Sequence, residues 1–234
     1  MRPVLFEFGG QPLYGYWFFY GLGMLLGVLV CLFLGRRRSL PFWRLWIVCL
    51  SVILGGFVFA RVSFVFFDSA FDGYIDLGKG GQVSFGGLLG ALLVLMITAI
   101  AMRLPLRDLL DAGAPSILLA QGIQRIGCLC NGCCHGPVYD AFFSMRFPKV
   151  VNLQGEIIGT PCFVHHLALG IVDRTDLFSL PVVPMQLVSM TIALSVAFLG
   201  IWTFLRGRLQ GRLLWLSFAV YGTLRFWAQW FRPN

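Results

Sequence analysis

Charge is scarce in this sequence. Asp, Glu, Lys and Arg make up 12% of its 234 residues, against roughly 25% in an ordinary soluble domain. Hydrophobic residues reach 58%, and mean hydropathy is +0.82. That balance excludes a soluble globular enzyme. Internal repeats, low-complexity tracts and a Pro/Gly/Ser-rich linker are also missing, which excludes a repeat array and predicts one domain over residues 1–234. A cleavable signal peptide is not expected either. The first apolar stretch is too long for a signal-peptide core, and its basic cluster Arg36, Arg37, Arg38 follows it instead of preceding it.

What the sequence does hold is apolar blocks long enough to cross a bilayer, which takes about 20 residues each. Residues 14–34, 45–67, 83–102, 109–129, 185–205 and 213–231 read as spans. The expected fold is an all-α polytopic membrane protein with about six transmembrane helices. A polar insertion at 131–183, between spans four and five, forms a cap. Within it, 142–150 and 156–158 flank the turn-like Gln154-Gly155 and predict a short hairpin. Arg36, Arg37, Arg38, Arg44, Arg103, Arg107, Arg206, Arg208 and Arg212 occupy three short loops, and basic loops stay cytoplasmic. The cap, the acidic loop 68–81 and both termini are then expected outside. The formal net charge of +8 is mostly this topology signal, and nucleic acid is not an expected partner.

Three arginines lie inside spans: Arg61, Arg125 and Arg225. Counted to the outer span ends at 67, 129 and 231, and at about 1.5 Å per residue, all three lie roughly 6–9 Å below the outer interface. A span-centre arginine costs at least ~2.5–3.5 kcal/mol on insertion scales and usually faces a cavity or a partner. Within the spans the only acid is Asp111, at an inner end. Each arginine alone could snorkel outward. Three at one depth point to an anion, and guanidinium groups suit a phosphate bidentately. The outer depth favours a phospholipid head group.

The residues around these arginines resemble a known family. Gln124-Arg125-Ile126-Gly127-Cys128-Leu129-Cys130-Asn131-Gly132-Cys133-Cys134-His135-Gly136 is similar to the signature of the prolipoprotein diacylglyceryl transferases, roughly G-R-x-G-N-F-x-N-x-E-x-x-G. Tyr14-Gly15 and Ala60-Arg61-Val62 resemble the family's early Tyr-Gly and its Gly-Arg pair. Gly80-Gly81 with Phe85-Gly86-Gly87 resembles G-G-x-S-x-H-G-G, and Pro184-Met185-Gln186-Leu187 resembles P-S-Q-L-Y-E. Tyr221-Gly222-Thr223-Leu224-Arg225-Phe226 through Phe231-Arg232-Pro233 resembles Y-G-x-x-R-F-x-x-E-F-x-R-x-P-D. The matches run in order along nearly the whole chain.

The resemblance implies transfer of a diacylglyceryl group from phosphatidylglycerol to the lipobox cysteine of a preprolipoprotein, at the periplasmic face of a bacterial inner membrane. It implies no cofactor. Its partners would be phosphatidylglycerol, lipobox peptides and membrane lipids. Carried over residue by residue, it assigns Arg125 and Arg225 to the head group and the leaving phosphate, where fixed cations stabilise developing charge. Tyr14 would assist proton transfer or orient the lipid, or act only as an interfacial aromatic. Arg61, Gly127, Gly86, Gly87, Gln186 and Arg232 would line the substrate site. The glycines also fit plain helix packing, as do Gly90, Gly23 and Gly27.

The sequence departs from the family at several polar positions. Phe85 replaces the histidine, and Cys128 and Cys133 replace the signature Asn and Glu. Gln229 and Val188-Ser189 replace further family residues. The arginines stay while the carboxylates go. Three readings of the Cys128, Cys130, Cys133, Cys134, His135 run remain open: buried small residues, a disulfide, or a soft-metal site using Cys133, Cys134 and His135 with His165 or His166. His135, His165 or His166 could also serve as a base. A non-catalytic paralogue that binds lipid or metal is the rival to the transferase.

Overall fold

A computed structural model describes residues 4–8, 11–72, 84–151 and 160–230. Over its described residues each predicted span falls on a helix, apart from Tyr14 in a strand and Met102 just past a helix end: α1 (Gly15–Arg37), α2 (Phe42–Asp72), α3 (Ser84–Ala101), α4 (Leu106–Asn131), α6 (Met185–Leu205) and α7 (Leu213–Trp230). A short α5 (Pro161–Ala168) lies in the expected cap. Gly15–Arg37, Phe42–Phe67 and Met185–Leu205 are long and apolar enough to cross a membrane, and Phe85–Ala101 is a shorter apolar helix. One element departs from an all-helical chain. Strands β1 (Val4–Phe8) and β2 (Gln11–Tyr14) pair antiparallel, with a register shift between Val4 and Phe6. The two strand segments flank Gly9-Gly10, a strong hairpin signal in sequence.

The chain divides into two compact units, Cys31–Ala112 and the remainder. In the first, α2 and α3 form a tight pair. Gly86, Gly87 and Gly90 recur along one face of α3. A Cβ at Gly87 would stand 3.1 Å from the Gly56 carbonyl oxygen, one at Gly86 would meet Ser63, and one at Gly90 would meet Phe59. Small residues let apolar helices touch backbone to backbone, where packing replaces the hydrophobic drive. The Arg44 Nη1 donates to the Met102 carbonyl at 3.1 Å and ties the start of α2 to the end of α3. Large apolar side chains such as Leu54, Ile97 and Ile100 point outward and are exposed, as expected of surfaces that meet lipid.

The nine arginines lie in or within a turn of the three short connections after α1, α3 and α6. Arg36 lies over Phe42 at 5.4 Å, Arg37 over Phe33 at 5.2 Å and Arg206 over Trp202 at 4.1 Å. Cations and aromatic rings paired at helix ends suit a membrane–water interface.

In the second unit α4 packs on α1 and α6. A Cβ at Gly23 would lie 2.6 Å from the Ala120 carbonyl oxygen, and one at Gly200 would lie 3.0 Å from Pro115. Beyond α4 the cap runs back on itself. Met145 and Val182 exchange backbone bonds of 3.0 and 2.9 Å, and Ser179 N–H donates to Phe147 O at 2.8 Å. So 145–148 pairs with the segment leading into α6; the second arm of the predicted hairpin, 156–158, lies outside the described residues. Phe147, Cys162 and Val182 form a fully buried cluster, with Leu129 of α4 packed against it. Asp72 ends α2, while Gly80, Gly81, Phe231 and Arg232 lie outside the described residues.

This cluster makes Phe147 the keystone of the segment between α4 and α6. Phe147→Ala is expected to cost about 3–5 kcal/mol, read as a lowered thermal midpoint of the protein in detergent. Phe142→Ala, at a fully exposed side chain, is expected to stay within about 0.5 kcal/mol of wild type.

Candidate functional site at the α4–α6–α7 end of the second unit

Helix α4 presents Gln124, Arg125 and Cys128 over its last two turns. It reaches α1 through Gly127, where a Cβ would lie 3.0 Å from the Tyr16 carbonyl oxygen and 3.1 Å from its Cα. That close approach brings the Tyr16 hydroxyl to the Gln124 side chain, with which it hydrogen-bonds. The phenol delivered to α4 is therefore Tyr16. Tyr14 closes β2 and is exposed.

The end of α4 is closed by Gly132 at a left-handed φ of 73°. Gly132 N–H donates to Leu129 O at 3.3 Å and Cys133 N–H to Cys128 O at 3.2 Å. This paired pattern is a glycine C-cap that satisfies orphan carbonyls. Cys134 follows with φ 60°. The two left-handed residues turn the chain back over the helix end, so the ligand atoms of Cys128, Cys133 and Cys134 all lie within 4.8 Å of one another. Arg125 hydrogen-bonds the Cys134 side chain and has Cys128 and Tyr221 within electrostatic reach. Hydrogen bonding in which the Cys133 thiol is the donor to its neighbouring cysteines, followed by burial, holds that thiol well above the usual range. It is protonated at neutral pH.

Helix α6 adds Gln186 and Ser189, three residues apart and so on one face; both are buried. Gln186 Nε2 donates to Cys133 O at 2.7 Å, which pins the cysteine turn to α6. Ser189 donates to Met185 O at 2.8 Å and accepts from Arg225 Nη1 at 2.6 Å. Helix α7 carries Arg225 one turn after Tyr221. Arg125 and Arg225 thus enter one polar zone from α4 and α7, both half-buried, with a thiol and a hydroxyl among their partners. A planar cation with several donors can exchange such neutral contacts for phosphate oxygens.

Several predicted site residues fall in or near this zone: Arg125, Arg225, Gly127 and Gln186. Arg61, Gly86 and Gly87 belong to the other unit. There Arg61 lies over the Phe64 ring at 5.5 Å, and the two glycines serve the α2–α3 contact. Arg232 lies outside the described residues. Tyr16, Gln124, Ser189 and Tyr221 join the zone without having been singled out from sequence. The signal for three of them was available in helical spacing: Tyr221 with Arg225 at i, i+4, Ser189 with Gln186 at i, i+3, and Gln124 adjacent to Arg125.

The suggested metal ligands are sorted differently from the sequence grouping. Cys133 and Cys134 gather with Cys128, whereas His135 gathers with Cys162 and His166. His165 is exposed, with its ring 5.4 Å from that of His135. Burial and the two neighbouring imidazoles push His166 down to about 4, and burial pushes Cys162 up to about 11.

The model of the family described as prolipoprotein diacylglyceryl transferase matches residues 3–234. A phosphatidylglycerol–prolipoprotein diacylglyceryl transferase 2 of Clostridium perfringens is 25% identical over 241 residues, covering 100% of this chain and 84% of the relative. A phosphatidylglycerol–prolipoprotein diacylglyceryl transferase of Clostridium tetani is 25% identical over 239 residues, covering 100% and 86%. One of Bacillus licheniformis is 33% identical over 166 residues, covering 68% and 62%.

Gly127 sets the α1–α4 distance, so Gly127→Val should overpack that contact by about 1–3 kcal/mol. The measurement is the thermal midpoint in detergent. Gly21→Ala, where an added Cβ meets nothing within 4 Å, should leave the midpoint unchanged or raise it, since alanine outranks glycine in a helix.

Proposed function

The chain belongs to the prolipoprotein diacylglyceryl transferase family, and from this we infer that it transfers the diacylglyceryl group of phosphatidylglycerol to the lipobox cysteine thiol of preprolipoproteins. The relatives' names carry the same reaction and favour the transferase over a binding-only paralogue. The protein is a multi-pass enzyme of a bacterial inner membrane, with six spans in one membrane domain over residues 1–234. Residues 131–183 form its periplasmic cap. The nine arginines in or beside three short connections support cytoplasmic placement of those connections. Both termini and the reaction then lie on the periplasmic side.

One observation carries the chemical assignment: two arginines from separate helices, half-buried in an apolar bundle, share a zone with Tyr16, Tyr221, Gln186 and Ser189. In the reaction the thiol sulfur bonds to the glycerol carbon, and the bond from that carbon to the phosphate oxygen breaks. Negative charge gathers on the departing glycerol phosphate. Arg125 and Arg225 stabilise it there, because a fixed cation at a developing charge needs no reorganisation. The departing group becomes a phosphate monoester, whose second pKa is about 6. The proton that the sulfur loses as it bonds to carbon can leave on that phosphate, which balances the step without a protein carboxylate.

Ser189 orients Arg225, and Gln186 holds the cysteine turn that meets Arg125. Tyr14, Arg61, Gly86, Gly87 and Arg232 are assigned at most to lipid positioning. The reaction requires no cofactor.

The assay uses purified protein, phosphatidylglycerol vesicles and a lipobox peptide, with mass spectrometry of the peptide as readout. Wild type should add one diacylglyceryl group to the cysteine. Arg125→Gln and Arg225→Gln should each lower turnover by about 10²–10³, the scale of losing one charge-stabilising donor. Ser189→Ala should retain measurable turnover. Full activity in both arginine variants would sink the assignment.

A further inference from the structure

The transferase chemistry makes no use of the cap's imidazoles or of Cys162. The return turn after α4 delivers His135, and α5 delivers Cys162 and His166, which share a helix face at i, i+4. Cys162 N–H donates to Gly132 O at 3.2 Å, so the start of α5 is fastened to the turn that carries His135. One ligand atom from each of His135, Cys162 and His166 lies within 4.8 Å of the other two. Cys162 and His166 are almost wholly buried, at 0% and 1% exposure.

Two further observations point inward to a ligand. His166 Nδ1 is buried and, among the described residues, has no hydrogen-bond partner. A polar atom in that position normally finds one. His135 Nδ1 lies 2.9 Å from the Gly136 carbonyl oxygen. A carbonyl only accepts, so Nδ1 carries the proton and Nε2 presents its lone pair. That arrangement is the outer contact usual for a metal-bound histidine.

We propose that His135, Cys162 and His166 bind one borderline-soft d-block cation of the zinc class in the cap. One thiolate and two imidazoles suit such an ion, whereas calcium and magnesium take oxygen ligands. A tetrahedral ion has a fourth position, supplied by solvent or by the neighbouring exposed His165. The ion joins the turn after α4 to α5, and so braces that part of the cap.

The inference stands apart from the transferase reading, because its readouts are binding and stability. The full chain is purified in detergent without a histidine tag, stripped with a chelator, and titrated with zinc against a chromophoric competitor. Cobalt serves as the spectroscopic probe. Wild type should bind one equivalent and gain thermal stability on loading. Cobalt should show tetrahedral bands together with a thiolate charge-transfer band.

Cys162→Ser should abolish that band, and His135→Gln and His166→Gln should each weaken binding at least tenfold. The double variant Cys133→Ser/Cys134→Ser should bind as wild type does. His135 is only half-buried, so His135→Gln keeps the test readable if the buried variants fail to fold. Absence of stoichiometric binding, or binding that survives His135→Gln and Cys162→Ser, would overturn the proposal. So would binding that is lost only with Cys133 and Cys134.

Discussion

A guanidinium held within an apolar helix bundle is the constraint on which the rest of the second unit depends. Such a group cannot shed its charge, since arginine stays protonated in proteins, and hydrocarbon offers it nothing. Each one has to be met by polar atoms from a neighbouring helix. Arg225 is met by Ser189, whose own hydroxyl proton goes back to Met185 O. Arg125 is met by Cys134. A hydroxyl or thiol satisfies a donor without cancelling its charge, which an aspartate would do. The cation keeps its attraction for an anion while remaining tethered.

That arrangement depends on how closely the helices approach. Gly127 lets α1 touch α4 and so places Tyr16 on Gln124. Gly132 adopts the left-handed conformation that ends α4 and sends the chain back over it. Without that reversal, Cys133 and Cys134 would continue away from Arg125. Gln186, fully buried, then fastens the reversed turn to α6. Two glycines and one glutamine therefore set the positions of groups they do not resemble chemically.

The cysteine turn shows how a family site changes character. Where the related signature has asparagine and glutamate, this chain has Cys128 and Cys133. The three sulfurs of Cys128, Cys133 and Cys134 gather within 4.8 Å as free thiols, and the Cys133 thiol donates to Cys128 O at 3.7 Å. Neutral sulfur in these positions leaves the arginine zone more positive than a carboxylate would. The neighbouring His135 groups instead with Cys162 and His166.

The helices and the loop arginines were legible because they depend on short-range pattern. Runs of apolar residues near the bilayer length, broken by arginine clusters, declare themselves wherever they occur. Arg125 and Arg225 were legible because a charge is conspicuous in an apolar run. The pairing of residues 145–148 with the segment before α6 was not legible: Phe178 and Val182 lie some thirty residues on, with no turn signal linking the two. The contact of Tyr16 with Gln124, Ser189 as the seat of Arg225, and the grouping of His135 with Cys162 and His166 were decided in three dimensions. Sequence spacing determines which side chains share a face of one helix. Which two faces meet depends on glycines that permit contact and on hydrogen bonds between segments far apart in the chain, and only the folded packing settles that.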